Sequence, residues 1–246
     1  MTYIMSDLHG QYTLYREMLA QIRFSDEDEL YILGDVVDRG PEPMRLLLDM
    51  SMRPNVFPIL GNHDYMAEYL LHKLSAEITE ENCDTHLTSS DIKAMSGWLI
   101  DGGQKTLEDF RRLSPEQRLD VLDYLAEFAP YEELTVGGNR FVLVHAGLPD
   151  FDPTRPLSDY DERALLIERT DYSRRYYPNR YLVTGHTPTA LIDPACSGRI
   201  YRANGHIAID CGAVFGKTLG CIRLDDFREF YVEASKEEVV VSKKGL

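Results

Sequence analysis

Five times along the chain, a short apolar segment ends in a loop that begins with Asp, Asn or His. The segments are 3–5, 30–33, 56–60, 141–144 and 181–184, and they are followed by Asp7 with His9, Asp35, Asn62 with His63, His145, and His186. Parallel strands joined by right-handed crossovers end at the same edge of a sheet, where ligands bind in α/β folds. This recurrence therefore predicts an α/β fold in which these side chains meet.

The segments between the apolar runs carry helical patterns. Apolar residues in 12–22 recur with a 3.6-residue period, which predicts an amphipathic helix. Pro41 and Pro43 favour the start of a second helix, and a third is predicted from about Tyr65 to Leu74. Further strands are predicted at 207–209, 219–224, 229–232 and, at the edge of the sheet, 239–241.

Residues 75–130 differ from the rest of the chain because they are polar and helical in pattern. Two interruptions occur there, at Asn82-Cys83-Asp84 and at Asp101-Gly102-Gly103. No group of residues in this stretch resembles a catalytic set. A chain of 246 residues can form one large domain. We therefore predict a single domain over 1–246, with a helical insertion at 75–130 that lies over the site.

The composition excludes several classes of protein. The net charge of −15 argues against non-specific binding of nucleic acid. No apolar run approaches the roughly 18 residues of a membrane span, and the first residues lack the pattern of a signal peptide. The four cysteines form no CxxC pair and fit buried thiols. We expect a cytoplasmic protein that binds neither nucleic acid nor membranes.

The segment Gly34-Asp35-Val36-Val37-Asp38-Arg39-Gly40 is the densest in chemistry. Its two carboxylates suit a hard or borderline cation, and its guanidinium suits a phosphate. The alternative is a surface turn with a local Asp-Arg pair. Because bound cations are the largest local charges in a site, they would also let an acidic protein accept an anionic substrate.

Six side chains from the five loops form a candidate ligand set: Asp7, His9, Asp35, Asn62, His145 and His186. Imidazole, carboxylate and amide oxygen together fit two borderline divalent ions, such as manganese, iron or zinc. Asp35 lies on the central loop and is the natural bridge between ions about 3.5–4 Å apart. Otherwise each residue would be an unrelated cap or turn. The histidines outside these loops are expected at the surface or satisfied, namely His72, His86 and His206.

Three motifs resemble those of the PPP family of metallophosphatases, which includes serine/threonine protein phosphatases, the bacteriophage lambda phosphatase and bacterial relatives. They are Ser6-Asp7-Leu8-His9-Gly10, the segment 34–40, and Gly61-Asn62-His63-Asp64. His145-Ala146-Gly147 and Gly185-His186-Thr187 resemble the two later histidine motifs of that family. The resemblance covers about residues 3–225. It implies a four-layer α/β/β/α metallophosphoesterase sandwich with a dinuclear site at its strand ends.

The resemblance also implies roles for individual residues. Asp7 and His9 would hold the first ion, and Asp35 would bridge to a second ion held by Asn62, His145 and His186. Manganese is the expected metal, with iron or zinc as alternatives. Arg39 would bind the substrate phosphate together with Asn62 and a second arginine. That arginine is expected at Arg169, with Arg163, Arg174 and Arg175 as neighbouring candidates.

The remaining motif residues would carry out proton transfer. His63 is the expected general acid, oriented by Asp64, and Asp38 and Arg39 complete the catalytic set. Two positions depart mildly from the family pattern: Ser6 replaces a frequent glycine, and Asp64 replaces the glutamate of eukaryotic members.

The function predicted from these motifs is a serine/threonine phosphoprotein phosphatase in which a hydroxide held between the metals attacks the phosphate. A phosphorylated protein or peptide, or a small phosphoester, would be the substrate. The first alternative is a symmetrical diadenosine tetraphosphatase. Such enzymes typically replace the second aspartate of the 34–40 motif, so Asp38 favours the protein phosphatase. The second alternative is a catalytically silent regulatory or RNA-binding module, which the intact ligand set and the pI near 4.8 disfavour.

Overall fold

The computed structural model describes residues 1–79 and 86–234. Its strands are β1 (Thr2–Met5), β2 (Glu29–Leu33), β3 (Val56–Ile59), β4 (Tyr131–Val136), β5 (Asn139–Val144), β6 (Tyr181–Thr184), β7 (Tyr201–Ala203), β8 (His206–Ala208), β9 (Thr218–Arg223) and β10 (Arg228–Glu233). Its α-helices are α1 (Tyr12–Ile22), α2 (Pro43–Ser51), α3 (Asn62–Ser75), α4 (Ser89–Trp98), α5 (Gln104–Arg112), α6 (Pro115–Ala126), α7 (Glu162–Ile167) and α8 (Thr189–Ile192). A π-helical turn, Leu99–Gly103, joins α4 to α5.

The strands form two five-stranded mixed sheets. The first has the order β10-β9-β1-β2-β3, and the second has the order β4-β5-β6-β8-β7. Strands β1, β2 and β3 are parallel, as are β5, β6 and β8. The parallel strands of each sheet therefore end at a common edge, as the recurrence of strand-end motifs predicts.

Alternation along the central strands sorts side chains into layers. In β1, Tyr3 and Met5 pack with the helices on one face of the first sheet, whereas Ile4 packs between the sheets. In β5, Phe141 points into the core between the sheets and Val142 into a third core that includes residues of α7. The result is a four-layer α/β/β/α arrangement, as the predicted fold class requires.

Helices α4, α5 and α6 lie within the polar stretch that the sequence marks as an insertion. Their buried residues Trp98, Phe110 and Leu122 share one hydrophobic core with α1, α2 and α3. The expected interruption at Asp101-Gly102-Gly103 is the π-helical turn, and the one at 82–84 lies outside the described residues. The boundaries 75–130 and the single domain over 1–246 stay predictions.

Some elements differ from the sequence predictions. Helix α1 has the predicted bounds, but α3 begins at Asn62 and not at Tyr65. The Asp64 carboxylate accepts a hydrogen bond from the Gly61 amide at 3.2 Å, which caps the helix three residues earlier. Strands β4 and β7 were not predicted because neither contains a buried residue; they pair antiparallel with β5 and β8. The predicted strand at 239–241 lies outside the described residues.

The predicted buried thiols are found only in part. Cys211 and Cys221 are buried, Cys196 is half-buried, and Cys83 lies outside the described residues. Within the described ranges, none of the helices combines the length and apolar character that a bilayer crossing requires.

Candidate dinuclear metal centre

The loops that follow the parallel strands are hydrogen-bonded to one another. The His9 amide donates to the Asp35 carbonyl at 2.8 Å, and the Gly185 amide donates to the His145 carbonyl at 2.8 Å. The two sheets are joined where the His186 amide donates to the Asp7 carboxylate at 3.0 Å. The structure thus brings the five predicted loops together at one edge of the sandwich.

Six residues of these loops have left-handed backbone conformations. Their φ angles are 52° (Asp7), 42° (His9), 52° (Asp35), 70° (Asp38), 64° (Arg39) and 61° (His186). Residues other than glycine rarely adopt this region, although Asp, Asn and His tolerate it best. Such strain persists only where the surrounding structure fixes it, and it concentrates at functional sites.

Asp35 lies at the centre of the candidate ligand set. Its Oδ2 is 3.6 Å from Nε2 of His9, and its Oδ1 is 3.4 Å from Nε2 of His145. Two groups of potential ligand atoms, each within 4.8 Å, share Asp35: one with His9 and His63, the other with His145 and His186. Each carboxylate oxygen therefore faces a different group, which is the arrangement that a bridging ligand requires.

Backbone carbonyls set the tautomers of two histidines. Nδ1 of His9 is 2.9 Å from the Val37 carbonyl, and Nδ1 of His145 is 2.7 Å from the Leu33 carbonyl. Because a carbonyl can only accept, each Nδ1 carries the proton and each Nε2 keeps its lone pair towards Asp35. Burial lowers the pKa of His9 well below its usual value, which favours the neutral ring that binds metals. These donors fit divalent cations.

The second group includes an amide oxygen. Oδ1 of Asn62 is 3.1 Å from Nε2 of His145 and 3.0 Å from Nδ1 of His186. Burial, above all, lowers the pKa of His186 to about 4, so this ring is also neutral near pH 7. The structure brings together all three side chains predicted for the second ion.

Asp7 lies beside the two ligand groups and is held by other contacts. It belongs to neither three-residue group; its carboxylate accepts hydrogen bonds from the Ser6 hydroxyl and the His186 amide. A Cβ on Gly185 would lie 2.4 Å from Asp7 Oδ2, so only glycine allows this close approach. Burial, with the charges of Asp210 and Asp35, raises the pKa of Asp7. Its role as a ligand of the first ion stays a prediction.

The orienting partner of His63 is Asp38, and the prediction of Asp64 in that role is wrong. Nδ1 of His63 is 2.7 Å from Oδ2 of Asp38. Asp64 turns back towards the start of α3, where it accepts hydrogen bonds from the amides of Val36 at 2.9 Å and Val37 at 3.2 Å. Its carboxylate therefore braces the loop after β2. Burial acts to lower the pKa of His63, but Asp35 and Asp38 outweigh it and raise that pKa.

Asp38 is itself fixed by two residues that sequence reasoning missed. Its carboxylate accepts hydrogen bonds from Nε1 of Trp98 at 2.7 Å and from Oγ1 of Thr106 at 2.6 Å. Both donors lie in the helical stretch where no site residues were predicted. No motif marks them, since their role arises only from the packing of α4 and α5 beside the loop after β2.

Arg39 lies at the rim of the site, with its side chain 28% exposed. Its Nη1 is 3.0 Å from Nε2 of His9, and its Nη2 is 2.9 Å from Oδ1 of Asp101. Asp101 is a third site residue from the helical stretch. Its Oδ2 lies 3.5 Å from Nε2 of His63.

Arg169 is exposed, and its positive charge contributes to lowering the pKa of His186, after burial and His145. It therefore lies near the second ligand group. Two of the alternative arginines have other contacts: Arg163 donates to the Tyr65 hydroxyl at 2.9 Å, and Arg174 is 3.6 Å from Asp171. Arg169 remains the candidate for the second phosphate-binding arginine.

Asp210 is a further carboxylate that was not predicted. It follows β8, is 5% exposed, and accepts a hydrogen bond from the Gly212 amide at 2.9 Å. Burial raises its pKa to about 7. The apolar run 207–209 followed by Asp210 repeats the strand-end pattern, so the same recurrence could have identified it.

Buried carboxylates with too few positive partners are costly unless cations compensate them. Five buried carboxylates cluster here, namely Asp7, Asp35, Asp38, Asp64 and Asp210, and burial raises the pKa of Asp7, Asp64 and Asp210. The donor types, the fixed tautomers and this excess of negative charge together fit a pair of bound divalent ions.

Residues 2–190 match the calcineurin-like phosphoesterase family, which is more than half of the chain. The chain belongs to this family. The family includes the PPP phosphatases that the motifs resemble, so the chain is a metal-dependent phosphoesterase by family. This match establishes the wider family and does not identify a particular member of it.

Two curated relatives are symmetrical bis(5'-nucleosyl)-tetraphosphatases. The protein from Nitrosospira multiformis is 30% identical over 187 residues, which cover 72% of this chain and 56% of the relative. The protein from Wigglesworthia glossinidia brevipalpis is 32% identical over 99 residues, covering 39% of this chain and 36% of the relative. The matches therefore span only about a third to a half of these relatives.

Two solved structures share the fold. The crystal structure of a putative diadenosine tetraphosphatase matches with a TM-score of 0.64 and 19% identity, covering 96% of this chain and 94% of that one. A protein serine/threonine phosphatase from Saccharomyces cerevisiae matches with a TM-score of 0.59 and 13% identity, covering 96% and 80%.

Proposed function

We propose that this protein hydrolyses dinucleoside tetraphosphates at a dinuclear metal centre, releasing two nucleoside diphosphates. The site geometry that supports this is the carboxylate of Asp35 placed between two ligand groups. The choice of substrate rests on the curated relatives, which are symmetrical tetraphosphatases. Because of these relatives, we prefer the symmetrical tetraphosphatase, the first alternative from the sequence, to the phosphoprotein phosphatase.

The residues that would hold the first ion are Asp7, His9 and Asp35, and those for the second are Asp35, Asn62, His145 and His186. Bound divalent ions would neutralise phosphoryl oxygens and lower the pKa of water, so that hydroxide is available to attack phosphorus at neutral pH. Manganese is the first candidate, because the ligand set combines imidazole with oxygen donors; iron and zinc are the alternatives.

The chain's own cations would bind the anionic substrate. Arg39 donates from Nη1 towards the ligand set, and the charge of Arg169 acts on His186, so both guanidinium groups would bind phosphoryl oxygens. Donors fixed before the reaction stabilise charge as it develops without costly rearrangement. Their positive charge also offsets the repulsion expected from a chain with a net charge of −15.

His63 would protonate the leaving oxygen. Nδ1 of His63 donates to Asp38, which leaves Nε2 to carry a second proton when the ring is cationic. The raised pKa of His63 favours that cationic form. Asp38 would orient the general acid whichever phosphoester is cleaved, so its presence is compatible with both candidate substrates.

The His63–Asp38 pair also favours a second candidate, the serine/threonine phosphoprotein phosphatase. An alkoxide is a much poorer leaving group than a nucleoside diphosphate and depends more strongly on a general acid. A site that pairs its histidine with a buried aspartate is therefore suited to phosphoserine and phosphothreonine as well.

A substrate panel tests these proposals. The manganese-loaded protein is assayed with diadenosine tetraphosphate, a phosphoserine peptide and an aryl phosphate, each with and without chelator. We expect chelator-sensitive cleavage of the tetraphosphate to ADP alone. Formation of AMP with ATP would contradict the symmetrical reaction, and a higher kcat/KM on the peptide would establish the second candidate. Binding of metal without cleavage of any substrate would instead support a silent module.

A further inference from the structure

The π-helical turn between α4 and α5 places Asp101 against two groups of the site. Its side chain is 59% exposed, yet its two carboxylate oxygens face the Arg39 guanidinium and the His63 ring. We infer that Asp101 is a positioning residue, which fixes the Arg39 guanidinium so that Nη1 faces the ligand set and can bind a phosphoryl group. This inference rests on the proposed phosphoester hydrolysis but not on which phosphoester is cleaved.

Arg39 is held by Asp101 along one edge of its guanidinium. Nε donates to the Asp101 carbonyl at 3.3 Å, and Nη2 donates to the Asp101 carboxylate at 2.9 Å. The Arg39 amide also donates to the Gly102 carbonyl at 3.0 Å. Backbone and side chain of the arginine are thus both attached to the turn, which leaves Nη1 as the nitrogen that points inwards.

The free edge of the guanidinium faces the centre. Nη1 of Arg39 donates to Nε2 of His9 at 3.0 Å, and that nitrogen is the one proposed to bind an ion. An ion on His9 would use this lone pair, so Nη1 would lose its acceptor. A substrate phosphate beside the ion would then provide a new acceptor for Nη1. Because the guanidinium is already held at its other edge, it would lose little conformational entropy on binding the phosphate.

The turn is shaped to make this contact. Gly102 has a φ of 112°, and a Cβ there would lie 2.5 Å from Cγ of Arg39. Any other residue would be strained and would push the turn away from the arginine. Trp98 at the start of the turn and Thr106 beyond it bind Asp38, the neighbour of Arg39, so the turn is anchored on both sides.

A competing role for Asp101 follows from the same contacts. The Asp101 carboxylate could bind the Arg39 guanidinium in place of a phosphate, so that this ion pair would have to break before substrate binds. The two roles predict opposite effects of removing the carboxylate. A positioning residue strengthens phosphate binding, whereas a competitor weakens it.

The test measures the affinity of the manganese-loaded protein for inorganic phosphate by calorimetry, which requires no turnover. The variants are Asp101→Ala, Asp101→Asn, Arg39→Ala and the Arg39→Ala/Asp101→Ala double variant. Asp109→Asn is the matched control. Asp109 lies on α5, and its carboxylate pairs with Lys105 at 2.7 Å and with Arg112 at 3.3 Å instead of with Arg39. Metal content and thermal unfolding confirm that each variant is folded and loaded.

We expect Asp101→Ala to weaken phosphate binding about tenfold, since misplacing a binding group costs one to two orders of magnitude. Asp101→Asn keeps an oxygen that accepts from Nη2, so it should recover to within about threefold of the wild type. In the Arg39→Ala background, removal of Asp101 should have no further effect. For any phosphoester that the protein cleaves, kcat/KM should follow the same order.

Four results would overturn the inference. Unchanged phosphate binding by Asp101→Ala would exclude the positioning role. Tighter binding would exclude it as well and would show that Asp101 competes with phosphate. A loss that persists in the Arg39→Ala background would show that Asp101 does not act through Arg39. Equal losses in Asp101→Ala and Asp101→Asn would assign the effect to charge and not to the hydrogen bond. Because phosphate binding is measured directly, failure of the tetraphosphatase assay would leave each of these results interpretable.

Discussion

The strand-end loops and the segment 98–106 contribute to the same site in different ways. The loops present mostly buried side chains, several of them on left-handed backbone, and their residues face the position proposed for the ions. The segment 98–106 presents Trp98, Asp101 and Thr106 from helical backbone, and these side chains contact Asp38 and Arg39. One region therefore forms the candidate ligand set, and the other fixes the groups that would bind phosphate and move a proton.

This comparison predicts the largest effect for a change in the strand-end loops. Replacing Asp35 with Asn should remove the bridging charge, so bound metal should fall below two ions per chain. Activity should drop about a thousandfold, since ions contribute several kcal/mol of transition-state stabilisation. Metal analysis and turnover of an aryl phosphate check both effects. Two ions per chain in this variant would refute the role assigned to Asp35.

The next largest effect is expected at His63. His63→Asn should slow hydrolysis of an alkyl phosphate by about 10²–10⁴-fold, because the alkoxide then leaves unprotonated. Hydrolysis of an aryl phosphate should fall much less. Metal content decides between two roles, since His63 also lies within 4.8 Å of ligand atoms of His9 and Asp35. Loss of one ion would make it a ligand and not the general acid.

A change in the segment 98–106 should leave the metal in place. Trp98→Phe keeps an aromatic ring at this buried position, but it removes the Nε1 donor to Asp38 and leaves part of the indole's space unfilled. A hydrogen bond to a charged group contributes about 1.5–3 kcal/mol, so urea denaturation should show a loss of stability of at least this order. Turnover should fall roughly tenfold through misalignment of His63, with two ions retained. Loss of metal from this variant would contradict the proposal that the segment 98–106 does not contribute to metal binding.

The smallest effect is expected at a half-buried carboxylate outside both regions. Asp49 accepts hydrogen bonds from Arg53 at 2.5 Å and from the Tyr12 hydroxyl at 2.9 Å. Burial acts to raise its pKa, but these partners outweigh it and hold the pKa below the usual value. Asp49→Asn should cost about 1 kcal/mol at pH 7 with unchanged turnover and metal content.

The pH dependence of this variant follows from the direction of the shift. A carboxyl with a lowered pKa in the folded state stabilises the protein above its unfolded pKa of about 3.9 and stops doing so as the pH falls through the folded value. The stability difference between wild type and Asp49→Asn should therefore shrink below about pH 4. A difference that stays constant down to pH 2 would contradict the shift.

Most of the ligand set could be predicted because each member follows a strand. The recurrence of apolar runs and polar loops places Asp35, His145 and His186 without knowledge of the fold, and Asp210 fits the same rule. Asp64 was misassigned for a local reason. It follows His63 directly in sequence, but on a helix successive side chains point in different directions, so Asp64 reaches the helix start while Asp38 reaches the imidazole.

The amino-acid sequence by itself determined the alternation of strands and helices and the residues at the strand ends, because both depend on short-range periodicity and on the common edge of parallel strands. Only the tertiary structure decided which carboxylate serves His63 and which residues hold Arg39. The contacts of Asp38 and Arg39 with the segment 98–106 join positions such as 38 with 106 and 39 with 101, which are more than 60 residues apart. Such pairs depend on how α4 and α5 pack against the rest of the fold, and a packing interface leaves no periodic signal in the sequence.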